Sequence, residues 1–401
     1  MRERVGIFGF CVLVSALTMT AAAVDAHVKS YNVVYAFAGG SDGAAPQAGV
    51  SMDAAGNLYG TTFNGGGVGV CQDVGGCGTV FKIAPDGAET VLVSFDYTNG
   101  AFPLSTPFVD KSGDVYGTTL EGGAGIDAGG DGTIFKIAPD GTEAVLHSFC
   151  VQSGCPDGAS PLGNLITDKA GDFYGLTNGG GASGDGVIFK FTHRAKLQVL
   201  YAFSDPLPMG NLVKDAAGNF YAITYEGGTN NTGAVVKVSR KGVGTRLYSF
   251  GANGSGDGVF PTGVAVDQTG NVFGVTQGGG AHGAGAVFEV TANGTETILY
   301  SFAGGDDGAR PSAPPVLDKS GNLYGLTGSG GVDGDGVVFR LTPAGKETVL
   351  HAFADFDDGN EPLAGLLATK GGTFYGTTFY GGGGSGAGCG DGCGTVFKLV
   401  N

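Results

Sequence analysis

Five acids recur in this chain, each followed by a glycine and, a few residues on, by a proline: Asp42, Asp157, Asp257, Asp307 and Asp358. Asn99 holds the matching place in one further copy. A carboxylate present once per repeat can serve as an oxygen ligand for Ca²⁺ or as an acceptor for sugar hydroxyls. It can also bond its own backbone and shape a turn, which is the plainer role. Glu121, Glu226 and Asp127 stand outside the regular pattern. If these converged on a central channel, they would offer the acid and base that a hydrolase or lyase needs. Residues 122–127 (GGAGID) match the glycine and Asp spacing of a calcium-binding nonapeptide, but the match is not iterated.

Six cysteines form three close pairs, Cys71/Cys77, Cys150/Cys155 and Cys389/Cys393. No histidine accompanies them and none is spaced CxxC, so disulfides are expected rather than a metal site. His147 and His351 occupy the place of Tyr201, Tyr248 and Tyr300, which points to packing variants. No Ser/His/Asp set can be ordered along the chain.

The elements that carry these residues repeat about every fifty positions. An LYGTT-like core returns at Tyr59, Tyr116, Tyr174, Tyr221, Phe273, Tyr324 and Tyr375. Each copy holds four short runs rich in Val, Phe, Tyr and Thr, in the first copy 48–53, 57–62, 79–84 and 89–95. Such runs, bounded by turn residues, are strand signals. The first two are joined by DAAGN-like turns with glycine where a positive φ is needed. Runs such as TVFKI are apolar at adjacent positions, as in a sheet covered on both faces. The pattern predicts an all-β, seven-bladed β-propeller of four-stranded antiparallel blades. A parallel β-solenoid is the alternative, with shorter coils and without repeated hairpins. Residues 31–37 match the fourth strand and residues 394–399 the third. The N-terminal strand should therefore complete the last blade and leave no open edge.

Glycine makes up 81 of 401 residues, placed alike in every repeat, which argues for turns rather than disorder. The net charge of −16 speaks against nucleic acid as a partner and leaves cations, neutral glycans and basic proteins. Tryptophan is absent, so stacking on a sugar would fall to tyrosine and phenylalanine. Lysines of the third strand, including Lys82 and Lys136, read as a ladder facing water.

The pattern LYGTT–GG–GTVFK–pDG–ETVLYSF–DG–P–D–GN over about residues 31–401 resembles the Gloeobacter–Verrucomicrobia tandem repeat of secreted bacterial proteins. The resemblance implies export and propeller-like repeats, and it implies no established reaction. Residues 1–26 read as a secretory signal, with Arg2 and Arg4 before an apolar run and small residues at the cleavage site. Residues 27–401 then form a single propeller domain, expected to be a secreted or periplasmic monomer with no membrane insertion after signal removal. Asn401 directly follows the last strand, which is the pattern of a chain without a sorting tail. Two sets of loops share one face: those between strands two and three, and those that cross from blade to blade. The expectation is a non-enzymatic propeller that binds a glycan or an extracellular protein through this loop face. The alternatives are a hydrolase or lyase on an extracellular carbohydrate or lactone, and a structural cell-envelope protein. No cofactor is required by the sequence, with Ca²⁺ as the candidate cation.

Overall fold

A computed structural model describes residues 28–67, 71, 75–125, 130–254, 256–354, 356–384 and 389–401. The signal segment 1–26 and Asp127 lie outside the described residues. Seven antiparallel sheets stand in a ring as the blades of a β-propeller. In blade 1 the strands run outward in chain order: Ser51–Met52, Leu58–Thr62, Thr79–Ile83 and Glu89–Ser94. Blade 6 departs slightly, because its inner strand is split into Ala309–Pro311 and Val316–Leu317. Pro314 and Pro315 fall in the gap, where they have no N–H to donate to the ladder.

Closure follows the expected route. Ser30–Ala36 forms the outer strand of blade 7, pairing Ser30 with Val400 and Ala36 with Thr395. The inner strands of this blade are Leu367–Ala368, Thr373–Thr378 and Thr395–Val400.

Inside each blade the second and third strands are buried on both faces. Leu58–Thr62 is buried at every position, and Thr79–Ile83 at every position but Lys82. The register places Gly60 opposite Phe81, and a Cβ on Gly60 would come within 2.3 Å of the ring tip. Glycine thus makes room for a phenylalanine that is fully buried between blades. The same pairing recurs as Gly175 with Phe189 and Gly325 with Phe339. Blade 4 changes both partners at once, setting Ala222 opposite Val236. Volume is conserved across the pair, as a close-packed interior demands.

The DAAGN hairpin is fixed by its aspartate. Asp53 accepts from the backbone of Ala55 and Asn57 at 2.9 Å, from the Asn57 amide at 2.7 Å and from the Tyr59 hydroxyl at 3.1 Å. Asp168, Asp215 and Asp318 accept from Tyr174, Tyr221 and Tyr324 in the same way. These contacts hold Asp53, Asp168, Asp215 and Asp318 below the usual carboxylate range despite partial burial. The third-strand lysines are not a plain solvent ladder. Lys82, Lys190 and Lys237 lie over the rings of Tyr59, Tyr174 and Tyr221, with 5.9, 5.4 and 5.3 Å to the centroids. Cross-strand register puts each lysine directly opposite its tyrosine, so the stem covers the ring while the ammonium sits on its negative face.

Candidate functional site: the loop face and the channel

The loops between strands two and three and the blade-crossing loops form one face; hairpins and strand 3–4 turns form the other. Lysines keep to the hairpin face and the adjoining strand ends, and Arg310 is the lone cation in the loops of the opposite face. Every loop there except 277–285 carries at least one acid. The charge of −16 is therefore concentrated on the loop face.

The five recurring acids do not converge. Each clamps its own blade crossing by accepting from an outer-strand side chain and from a loop N–H. Asp42 accepts from the Tyr35 hydroxyl and the Ala38 N–H, both at 2.6 Å. Asp307 accepts from Tyr300 at 2.9 Å and the Ala303 N–H at 2.7 Å. Asp257, only 3% exposed, accepts from Tyr248 at 2.8 Å. At Asp157 and Asp358 the tyrosine is replaced by His147 and His351, whose Nε2 atoms lie 2.8 and 2.9 Å from the carboxylates. Those histidines are thus hydrogen-bonding substitutes, a role that packing alone did not suggest. At the crossing from blade 3 to blade 4, Asp205 accepts instead from Arg246 on the outer strand of the following blade, in a two-toothed contact with the Nη2 atom 2.7 Å from Oδ1.

A second acid, which the sequence reading missed, stands at three of these crossings. Glu89, Glu296 and Glu347 begin the outer strand of the following blade and face Asp42, Asp257 and Asp307. Burial first, and then the neighbouring aspartate, push each of these carboxyls up to about 7. In each, Oε1 is buried without a hydrogen-bond partner. The rule changes with the crossing. Where the loop carries Asn99, Glu143 accepts from its amide at 2.8 Å. Where the outer strand carries His351, the facing residue is Tyr31, stacked on the imidazole with centroids 3.6 Å apart. Co-occurrence between one repeat's loop and the next repeat's strand was the available signal.

The three cysteine pairs are disulfides. Among the described residues one group of three potential ligands comes together, Asp131 with Cys150 and Cys155. Those sulfurs are bonded to each other and offer no thiolate. Glu121 lies under the hydroxyl of Tyr97, which donates to its carboxylate, while Glu226 is half-buried at the start of its loop.

Inner-strand residues of all seven blades line a central channel of about 480 Å³. Its polar lining is neutral: Gln47, Ser51, Thr106, Asn164, Asn211, Thr262 and Ser312. Asn164 accepts from the Thr106 N–H at 3.2 Å, and Asn211 bonds the Val264 backbone in both directions. The backbones crowd here, since a Cβ on Gly163 would come within 2.1 Å of the Gly210 carbonyl oxygen. Neither Glu121 nor Glu226 reaches this wall, which carries no carboxylate, imidazole or thiol among the described residues.

The molecule is a seven-bladed β-propeller with a constant frame and a varied, acidic loop face. The chain belongs to the Gloeobacter/Verrucomicrobia repeat family, whose repeat pattern matches residues 20–216 and again 206–397. No curated protein matches the chain. Solved structures share the fold at low identity. Virginiamycin B lyase from Staphylococcus aureus is 13% identical, with TM-score 0.61, covering 93% of this chain and 99% of the lyase. A streptogramin B lyase is 15% identical, with TM-score 0.59 over 92% of this chain and 97% of that one. The extracellular domain of a one-component system from B. thetaiotaomicron is 9% identical, with TM-score 0.55 over 92% of this chain and 40% of that chain.

Proposed function

We propose that this chain is an exported, non-catalytic binding module that takes a neutral glycan on its loop face. The observation that carries the reading is the contrast between the channel wall and the loop face. The channel wall is neutral and tightly apposed, and among the described residues it carries no carboxylate, imidazole or thiol to activate its hydroxyls. The loop face combines carboxylate clamps at six of the seven blade crossings with side chains that differ from blade to blade, which is how a rigid scaffold presents a binding surface. Its acidity disfavours polyuronates and nucleic acid and leaves uncharged hydroxyl-rich ligands. Three disulfides, and no helix among the described residues long and apolar enough to cross a membrane, fit an oxidising compartment outside the cytoplasm.

A glycan array probed with the purified chain, with Ca²⁺ and again with chelator, tests this. Binding to neutral glycans in both conditions is the expected result, because the recurring acids are occupied by their own loops. Binding lost in chelator would restore a cation to the site. A blank array would refute the glycan reading and redirect the search to basic protein partners and to hydrolase or lyase substrates.

A further inference from the structure

One backbone feature of the loop face recurs in all seven blades. The residue immediately ahead of the repeated proline adopts a left-handed conformation: Ala45, Phe102, Ser160, Leu207, Phe260, Arg310 and Glu361, with φ between 50 and 60°. This costs an L-residue roughly 1–2 kcal/mol, and a following proline adds its own restriction. The backbone has a structural reason to be there. Phe102 donates its N–H to the Cys77 carbonyl of the preceding blade at 2.8 Å and accepts from Leu120 of its own blade at 3.2 Å. Ala45 and Glu361 make the same tie to Cys393 and Asp335. Glycine would make that tie at lower cost. Yet none of the seven is glycine, in a chain with 81 of them.

At the junctions after Thr62 and Thr224, which end the second strands of blades 1 and 4, this position sits beside the residue that follows the threonine. Both residues are aromatic there. Phe63 stacks on Phe102 with centroids 4.9 Å apart and planes 26° from parallel. Tyr225 stacks on Phe260 at 5.0 Å and 27°. All four residues are half-buried, so none is sealed from solvent. A polar partner adjoins each pair. Tyr97 meets Phe102 edge-on at 6.0 Å and donates to Glu121. The Tyr225 hydroxyl donates to Gln277 at 2.7 Å.

We propose that these two stacked pairs are platforms for sugar rings, each holding one residue of a neutral polysaccharide. The inference rests on the glycan reading above and names its contact set. The C–H face of a pyranose is apolar and slightly positive, and it complements the negative face of an aromatic ring. Glu121 and Gln277 then accept or donate at its hydroxyls. At the remaining junctions one or both partners are aliphatic, polar or glycine, and no platform forms.

Affinity electrophoresis of the chain in gels cast with galactomannan, xylan or mixed-linkage β-glucan tests the proposal. Phe102→Gly and Phe260→Gly each remove a ring while relieving the left-handed strain, and thermal melting checks that both variants fold. In the gel that retards the wild type, each substitution should weaken binding about tenfold, and the double variant should migrate freely. Leu207→Gly, at the same position of a junction without a platform, should be retarded like the wild type. A double variant retarded like the wild type overturns the platforms while leaving the glycan reading intact. Equal weakening by Leu207→Gly also overturns them. A wild type that no neutral polysaccharide retards overturns both.

Discussion

Replacing Glu89, Glu296 and Glu347 together by glutamine should remove a rise in stability that the wild type shows on mild acidification. Each glutamate faces an aspartate across a blade junction, and each carboxyl is raised from 4.5 to about 7. The folded state therefore holds protons there that the unfolded chain releases. The stabilisation is fully present below about pH 4.5 and is lost as the pH rises through 7. Taken at face value, a shift of this size corresponds to about 3 kcal/mol per group. These side chains are partly exposed, and solvent screening reduces the figure to about 1 kcal/mol each. Three junctions then give about 3 kcal/mol between pH 5 and pH 8. With an unfolding entropy near 2 cal/mol/K per residue, that is about 4 °C in Tm for a chain of this size. The aspartates whose carboxyls are lowered, such as Asp53 and Asp215, add stability above the acid range and contribute no slope in this window. Thermal melts followed by circular dichroism at pH 5, 6, 7 and 8 decide the matter. The wild type should lose Tm steadily, while the triple glutamine variant keeps only the smaller slope left by the raised carboxyl of Glu143 and is the more stable of the two at pH 8. Parallel curves for the two proteins would refute the proton-sharing account of these junctions.

Gly175→Ala should destabilise by about 1–3 kcal/mol, because the new Cβ would lie 2.6 Å from the Phe189 ring tip; unfolding in urea measures it, and Phe189→Val should restore much of the loss. Tyr248→Phe should cost about 1–3 kcal/mol by depriving the buried Asp257 of its hydroxyl donor, seen as a lower denaturant midpoint at unchanged slope. Reduction of the disulfides should lower stability by about 2 kcal/mol per bridge, since each closes a short loop; melts with and without reductant report it.

The strands, hairpins, ring closure and cysteine pairing were legible because each depends on residues close in sequence or on a repeat held in phase. The glycine of LYGTT and the phenylalanine of GTVFK are constant for a reason the sequence only hints at, namely the cross-strand pairing that blade 4 rewrites as Ala222 and Val236. The contacts that went unread cross from one blade to the next. Glu89 and Asp42 belong to different repeats, and it is the placement of an outer strand beside the previous blade's loop that brings them together. The left-handed residues ahead of proline were hidden differently, because a positive φ is normally announced by glycine or asparagine and here the backbone tie imposes it on Phe102 and Phe260. The lysines over tyrosines were misread because a lone charge in an apolar run suggests solvent, while a long stem lets it lie across a ring instead.

Pairing Ser30–Ala36 with Thr395–Val400 sets an order on how the molecule can be made. During vectorial emergence from a ribosome or a translocation channel, the strand that completes the last blade is delivered first and its partner last. Six blades can form from neighbouring segments as they appear, each by local pairing. The seventh depends on one contact of very long sequence separation, so its closing step carries the loop entropy of nearly the whole chain. Until then an outer strand and the exposed flank of blade 7 remain unpaired, and both are templates for another copy. Ser30–Ala36 is therefore the strand most open to pairing with another copy until Thr395–Val400 is in place.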